Sequence, residues 1–374
     1  MAATIPPGTH SRVSPDALRS VDFASLDAAV SEALAQAQLT AQARDGAGSA
    51  WRDTAARLAY LPVDYSAAMI DYQLAYWSGD GVPVRDLSLL LLHDRQPCGV
   101  WPLSATFATA TGWRIGSNGS AVLPPLFVAG MARKSVKSMT AECLAFLDAT
   151  CGRIGQPGFE SVEAYAGAQG LSDWHDRLMQ DGAVAQLRHD LFLDISRPMA
   201  EIRSGFRKSY RALITSGSKL WKTQVVTAAD PAQWDEFRLL HLAVAGRQTR
   251  SAESWRLQHE AIASGDAFFV CLRDSDAGRM VGGGLFHVTR DEGLYAVGAY
   301  DRTLFDEPLG HVVQFHAIEE MKRRGIRWYK LGARAYPSDI PAPGEKEMTI
   351  SNFKRGFSSH CLPRYLVKAD SNHD

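Results

Sequence analysis

The sequence predicts a two-domain α/β (α+β) protein with mixed, mostly antiparallel sheets flanked by helices. The chain has 374 residues, too many for one ordinary core and suited to two of roughly 150 to 200 each. Its C-terminal half alternates apolar strand runs with amphipathic helical stretches in the order β-α-α-β-β-β-α-β-α-β. The strand joints Asp274 to Gly278 and Arg290 to Gly293 are short and rich in Asp and Gly, which suits hairpins and makes a parallel Rossmann series unnecessary.

In the first half, Phe23 to Ala37 reads as a helix and Ala41 to Ala50 as an Ala/Gly-rich flexible link. Leu87 to Val128 breaks into short apolar runs punctuated by Asp94 to Pro97, Gly112 and Ser117 to Ser120, the pattern of an antiparallel meander. Helical periodicity returns at Arg133 to Cys151, followed by a strand near Val162 to Ala166, a helix Ser172 to Gln180 and a strand Ala185 to Ile195. The first domain is therefore expected to span 1–196 and the second 197–374.

The second half opens with a helix expected from Met199 to Thr215 and stopped by Gly217, a left-handed C-terminal glycine. Strand Thr223 to Thr227, helices Ala232 to Ala245 and Ala252 to Ser264, and strands Ala267 to Arg273, Met280 to Val288 and Leu294 to Tyr300 follow. Helix His311 to Arg324, strand Arg327 to Gly332, helix Glu347 to Phe357 and strand Arg364 to Lys368 complete the series. Gly282 to Gly284 lies within a strand, marking a bulge or a close backbone approach.

Composition narrows the function. Hydrophobic residues make up 46 % and charged residues 22 %, the mix of a soluble globular protein. Residues up to Ser196 carry 14 Lys and Arg against 20 Asp and Glu, and those from Arg197 onward 26 against 21. Anionic ligands should prefer the second half, yet the surplus is small for gripping a nucleic-acid duplex. Met1 to Arg12 has no secretory pattern and Leu87 to Leu92 is far too short to span a membrane, so a cytoplasmic protein is expected. The cysteines, 98, 143, 151, 271 and 361, lack metal-type spacing and should be reduced and buried.

Three segments could carry chemistry. Arg203, Arg207 and Arg211 recur every four residues and share a helix face, with Ile202, Phe206, Tyr210 and Leu213 opposite. Guanidiniums in line suit phosphate capture, although a solvated basic face explains them equally well. The link Gly246 to Ser251 places Arg250 near Trp255, a pair able to hold a charged, ring-bearing substrate; simple capping of the next helix by Ser251 is the plainer reading. In Glu345 to Phe357, Ile350, Phe353 and Phe357 form an apolar stripe with Lys354 at its edge, where a snorkelling lysine is the plainer reading.

Other classes lack their signatures. There is no G-x-S-x-G elbow, H-E-x-x-H pair or Walker loop. His311 and His316 share a helix without metal-type partners and read as packing or helix-end residues, so no metal site is expected. Asp301 to His311 offers a single glycine and three acids, a poor cradle for a pyrophosphate at a helix N-terminus.

Ile202 to Gly217, Gly246 to Trp255, Gly325 to Arg334 and Lys346 to Phe357, in this order and spacing, resemble the FemAB family of tandem GNAT-fold transferases, which includes the peptidoglycan-bridge aminoacyltransferases. The resemblance covers roughly Ser196 to Lys368 and implies two GNAT-like domains, the first degenerate. It implies amide formation: an activated acyl or aminoacyl group passes to a primary amine on a nucleotide-linked or sugar-bearing acceptor. Phe353 and Lys354 look like the family's Phe-Lys pair needed for transfer, with the lysine either stabilising an oxyanion or holding the adenosine end of a charged tRNA. Arg207 and Arg211 match basic residues that hold acceptor phosphates, and Arg250, Trp255, Arg334, Tyr336 and Lys346 are expected to bind substrate at the interdomain cleft. The long helical-hairpin arm of some bridge-forming members is missing.

Three readings follow. The leading one is an N-acyltransferase of cell-surface glycan biosynthesis acting on an amino sugar or nucleotide sugar, with acyl-CoA as co-substrate and no tightly bound cofactor. The second is a tRNA-dependent aminoacyltransferase, whose partner is the acceptor end of an aminoacyl-tRNA. The third is a non-catalytic protein that recognises a glycan or a partner.

Overall fold

The computed structural model describes residues 21–163, 171–274 and 278–370. The expectations for Met1 to Arg12, for the strand beyond residue 163 and for the tip of the Asp274 to Gly278 turn fall outside them. Among the described residues, 21–187 together with 365–370 form one compact unit and 188–364 another.

In the first unit Asp22 caps helix α1 (Phe23–Gln36) by accepting from the Ser25 N–H at 2.9 Å. The expected flexible link is ordered: it holds strand β1 (Ala41–Ala43) and leads into helix α2 (Ala50–Ala55), where Trp51 is buried. Its Arg44 is pinned between Asp71 and Asp86 at 2.6 and 2.7 Å. Helix α3 (Ala67–Gly79) then leads into the meander: β2 (Val84–Asp86), β3 (Leu89–His93), β4 (Gln96–Trp101), β5 (Ser104–Ala108), β6 (Gly112–Gly116) and β7 (Leu126–Phe127). The meander divides between two sheets, ordered β1-β3-β4-β7 and β2-β5-β6. Helix α4 (Arg133–Ile154) stops at Gly155 (φ +70°), and strand β8 (Gly158–Val162) and helix α5 (Asp173–Gln180) follow. Trp101 is buried in edge-on contact with Phe146 and Trp174.

Strand β9 (Val184–Asp194) runs through the boundary into the second unit. There the chain breaks where one helix was expected: α6 (Met199–Gly205) ends, Phe206 and Arg207 are extended, and α7 (Lys208–Leu220) begins. Gly217 does not stop it. A Cβ there would come within 2.6 Å of Val312 and 2.7 Å of Pro308, so this glycine lets two helices approach closely.

Strand β10 (Trp221–Val226), helices α8 (Pro231–Ala245) and α9 (Ala252–Ala263), and strands β11 (Ala267–Asp274), β12 (Met280–Val288) and β13 (Glu292–Tyr300) come next. Helix α10 (Leu309–Arg323), strand β14 (Trp328–Ala333), helix α11 (Glu345–Arg355) and strand β15 (His360–Asp370) complete the chain. The strand order in this unit is β10-β11-β12-β13-β14-β9, antiparallel except for the β13/β14 pair. Gly283 in β12 lets the Phe269 ring approach to 2.7 Å of where a Cβ would stand. Phe268, Phe286, Val312, Met321 and Tyr329 form the core.

The division differs from a single cut after Ser196, because two strands cross it: β9 enters the second unit at Arg188, and β15 returns to the first after Arg364 to pair Leu366–Asp370 with β8. Cys98, Cys143, Cys151 and Cys271 are buried free thiols, whereas Cys361 is half-buried beside the Tyr336 hydroxyl. Among the described residues no helix is long and apolar enough to cross a membrane, and no three His, Cys, Asp or Glu side chains cluster as metal ligands.

Candidate active site around the Phe353–Lys354 helix

The site grows from a divergence in the sheet. Strands β13 and β14 are paired only over Glu292–Leu294 and Trp328–Lys330, although β13 continues to Tyr300. Past that point Tyr295 and Tyr300 join hydroxyls at 3.0 Å, and Tyr329 donates to Gln314 Oε1 at 2.5 Å. Burial pushes the Tyr295 hydroxyl up to about 12 and Tyr300 well above its ordinary value, so both stay protonated donors.

Helix α11 packs beside this opening. Glu347 reaches back to accept from the Gly344 N–H at 2.8 Å and fixes the helix start. Lys346, Thr349, Ile350 and Phe353 are spaced to share one face. The first three, with Glu345, Gly298, Ala299, Tyr300, Phe305 and Val244, line a cavity of about 430 Å³.

The Phe353 ring lies among Tyr210 (5.9 Å), His311 (5.1 Å) and Phe357 (5.4 Å). His311 is a packing residue, as expected, its imidazole held neutral down to about 4 by burial and by Arg207. His316, on the same helix, pairs with Glu319 at 2.9 Å.

Lys354 is more deeply buried than an edge lysine, at 5 % exposure. Its ammonium makes no hydrogen bond or ion pair with the described residues, and burial lowers its pKa to about 8 against the opposing pull of Asp190. Asp190 is itself buried and paired with Arg364 at 3.3 Å. It stands on the continuation of the second unit's sheet, so strand spacing in the sequence gave no sign of it beyond a carboxylate interrupting an apolar strand.

The arginine stripe does not survive the break in the helix. Arg203 donates to Thr215 Oγ1 at 2.6 Å. Arg207 holds the end of α11, donating to the Asn352 carbonyl at 3.2 Å and the Tyr210 hydroxyl at 3.3 Å, as a cation suits a helix C-terminus. Arg211 is half-buried, and its guanidinium makes no hydrogen bond or ion pair with the described residues. Arg334 also braces α11, donating to Ser351 Oγ at 3.1 Å and Asn352 Oδ1 at 2.7 Å while covering the Tyr336 ring.

The expected substrate residues are thus not gathered in one pocket. Lys346 lines the cavity just described; Phe353, Lys354, Arg207, Arg211, Arg334 and Tyr336 line neither it nor a second one; Arg250 and Trp255 line that second cavity, between α8 and α9. Tyr295 and Tyr300 were not anticipated. The only trace of them in the sequence is two tyrosines near the end of an otherwise apolar strand.

Residues 204–345 match the acetyltransferase (GNAT) domain family model. No curated protein matches the sequence. Among solved structures, FemX is similar over 84 % of this chain and 95 % of its own, with TM-score 0.60 and 12 % identity. A conserved protein of unknown function from Bacteroides thetaiotaomicron covers 89 % of this chain and 100 % of its own, with TM-score 0.57 and 8 % identity. The C-terminal domain of a putative lysylphosphatidylglycerol synthetase from Agrobacterium fabrum covers 91 % and 93 %, with TM-score 0.51 and 12 % identity. Over most of its length the chain shares the fold of FemX, and residues 204–345 in its second half match an acetyltransferase (GNAT) domain.

Proposed function

We propose that this chain is a cytoplasmic N-acyltransferase that forms an amide on the primary amine of an amino sugar or nucleotide-linked sugar, in the making of a cell-surface glycan. The observation that carries the reading is Lys354: a buried lysine whose ammonium has no described partner, adjoining Phe353 on the helix whose Lys346, Thr349 and Ile350 line the cavity at the sheet opening. A buried cation left unpaired costs stability, and an ammonium whose pKa burial lowers to about 8 on the helix beside the cavity supports a role toward charge that appears only during reaction.

In that reaction the acceptor amine attacks the acyl carbonyl, forming a C–N bond and an oxyanion. The amine proton is lost, the oxyanion collapses, and the bond to the donor breaks, the leaving group taking up a proton. The Lys354 ammonium donates to the oxyanion; Tyr300 and Phe305 offer ring faces to a sugar, and Lys346 an ammonium to its phosphate. Arg211 supplies a further cation for the acceptor.

One observation favours an aminoacyl-tRNA over acyl-CoA as co-substrate. Gly310, in the first turn of α10, is covered by Phe353 and Tyr300, which come within 3.4 and 3.7 Å of where its Cβ would stand. With one glycine and three acids in Asp301 to His311 ahead of it, this turn is a poor cradle for a pyrophosphate.

Incubation with amino sugars and either acyl-CoAs or charged tRNA, read by mass spectrometry, tests both levels. Product from either donor supports amide transfer and identifies the donor; no product from any pairing would move the chain to the non-catalytic glycan- or partner-binding reading.

A further inference from the structure

The Gly246 to Ser251 link takes no part in the acyl-transfer site described above, yet it closes a preformed cavity. Helices α8 and α9 are held together by the Trp234 indole N–H, which donates to the Trp255 carbonyl at 3.0 Å. Gln248 Nε2 donates to the Arg250 carbonyl at 3.0 Å, and Ser251 caps α9 through the Ser254 N–H at 3.1 Å, which together set the link. The cavity, open to solvent on one side, holds about 340 Å³ and shares no lining residue with the 430 Å³ cavity.

Its chemistry is specific. The Arg250 guanidinium stands 5.7 Å over the Trp255 ring and is hydrogen-bonded to His241 Nε2 at 3.1 Å. Burial and Arg250 hold His241 neutral down to about 4. Arg247, exposed on the link, has no hydrogen bond or ion pair among the described residues. The lining carboxylate, Asp235, is already paired with Arg238 at 2.8 Å. One turn along α9 from Trp255, His259 stacks on Trp234 at 6.0 Å, and its Nε2 is buried with no partner among the described residues.

A cavity lined by the unpaired Arg247 guanidinium, indole rings and an orphaned His259 ring nitrogen lacks an anion for the first and a hydrogen-bonding ring for the last. We infer that it is a second binding site, separate from the acyl-transfer site, for a small anion carrying a planar heterocycle, of the chemistry of a nucleoside monophosphate. The phosphate takes Arg247 and Arg250. The base edge, which offers both donors and acceptors, satisfies His259 Nε2 in either tautomer, as a bare anion does not.

Isothermal titration of the full chain with AMP, inorganic phosphate and adenosine tests this without any assay of turnover. One-to-one AMP binding is expected, with phosphate and adenosine each weaker by about tenfold or more. Arg247→Ala, on an exposed side chain whose loss leaves the fold intact, should weaken AMP by about ten- to a hundredfold. His259→Phe should weaken AMP and leave phosphate unchanged. Thr349→Trp, which fills the other cavity, should leave AMP binding intact. Absence of AMP binding, phosphate binding as tight as AMP, or loss of AMP in Thr349→Trp but not Arg247→Ala would overturn the assignment.

Discussion

Phe353 lies over Gly310, its Cζ 3.4 Å from the position a Cβ on that glycine would occupy. The contact ties the Phe-Lys helix to the first turn of α10, so the size of residue 310 should set the position of Phe353. Gly310→Ala places its methyl in ordinary van der Waals contact with the ring and should keep the melting temperature near wild type. Gly310→Val drives its branches into the ring and should cut turnover by about tenfold or more while the protein stays folded. Steady-state rates with melting curves separate the two.

Gly217 makes the stability counterpart. Even one methyl would overlap Val312 and Pro308, at 2.6 and 2.7 Å, so Gly217→Ala forces α7 and α10 apart. Overpacking of this kind costs roughly 1 to 3 kcal/mol, and urea denaturation should show a lowered midpoint. An unchanged midpoint would mean that the helices yield freely there.

The same glycine shows where the sequence misleads. A glycine near the end of a helical run looks alike whether it stops the helix or admits a neighbour, and only the packed partner, Pro308, tells them apart. Gly205 was the break signal, lost inside a periodic apolar stripe that continues through Phe206 and Tyr210. Strands and helices from β10 to β15 were legible because their periodicities are strong and their turns carry Asp and Gly. Lys354 was legible as a residue at a stripe's edge, but its depth depends on Asp190 and β9, more than 160 positions away in sequence. Arg250 and Arg334 are expected from the resemblance at one cleft; Arg250 lines the cavity between α8 and α9, whereas Arg334 is bound to Ser351 and Asn352, a pairing set by tertiary packing that spacing does not reveal.

Acid should unfold this protein earlier than carboxylates alone would. Burial lowers His175 and His287 to about 4 in the folded chain, so each stays neutral while the unfolded chain takes up a proton. Between the ordinary histidine value and about 4, the unfolded state binds more protons, and stability must fall as pH falls. Denaturation midpoints between pH 7 and 4 should decline, and the slope should lessen in His287→Gln. A flat profile would mean that these imidazoles charge without unfolding.

The two arginines at the α7 start should separate. Arg207→Ala removes hydrogen bonds to Asn352 and Tyr210 and should destabilise by about 1 kcal/mol or more. Arg211→Ala should leave stability within about 0.5 kcal/mol and raise the KM for an anionic acceptor by about tenfold. Equal stability losses would assign Arg211 to structure as well.

Lys354 should trade stability against function. Its folded pKa, about 8, is below that of an unfolded lysine, so its burial penalty is fully present below pH 8 and fades as pH rises toward the ordinary lysine value. Lys354→Met should therefore raise the melting temperature at pH 7, by the equivalent of roughly 1 to 3 kcal/mol, and lose that advantage near pH 11.

The pH dependence of amide formation, measured as kcat/KM for wild type and Lys354→Met, tests the central claim most directly. If the Lys354 ammonium donates to the oxyanion, wild-type activity falls as pH rises through about 8. The methionine variant should then lose turnover by about a hundredfold or more at pH 7 together with that limb of the profile. A folded Lys354→Met protein that keeps near wild-type turnover, or keeps the limb at 8, would contradict it.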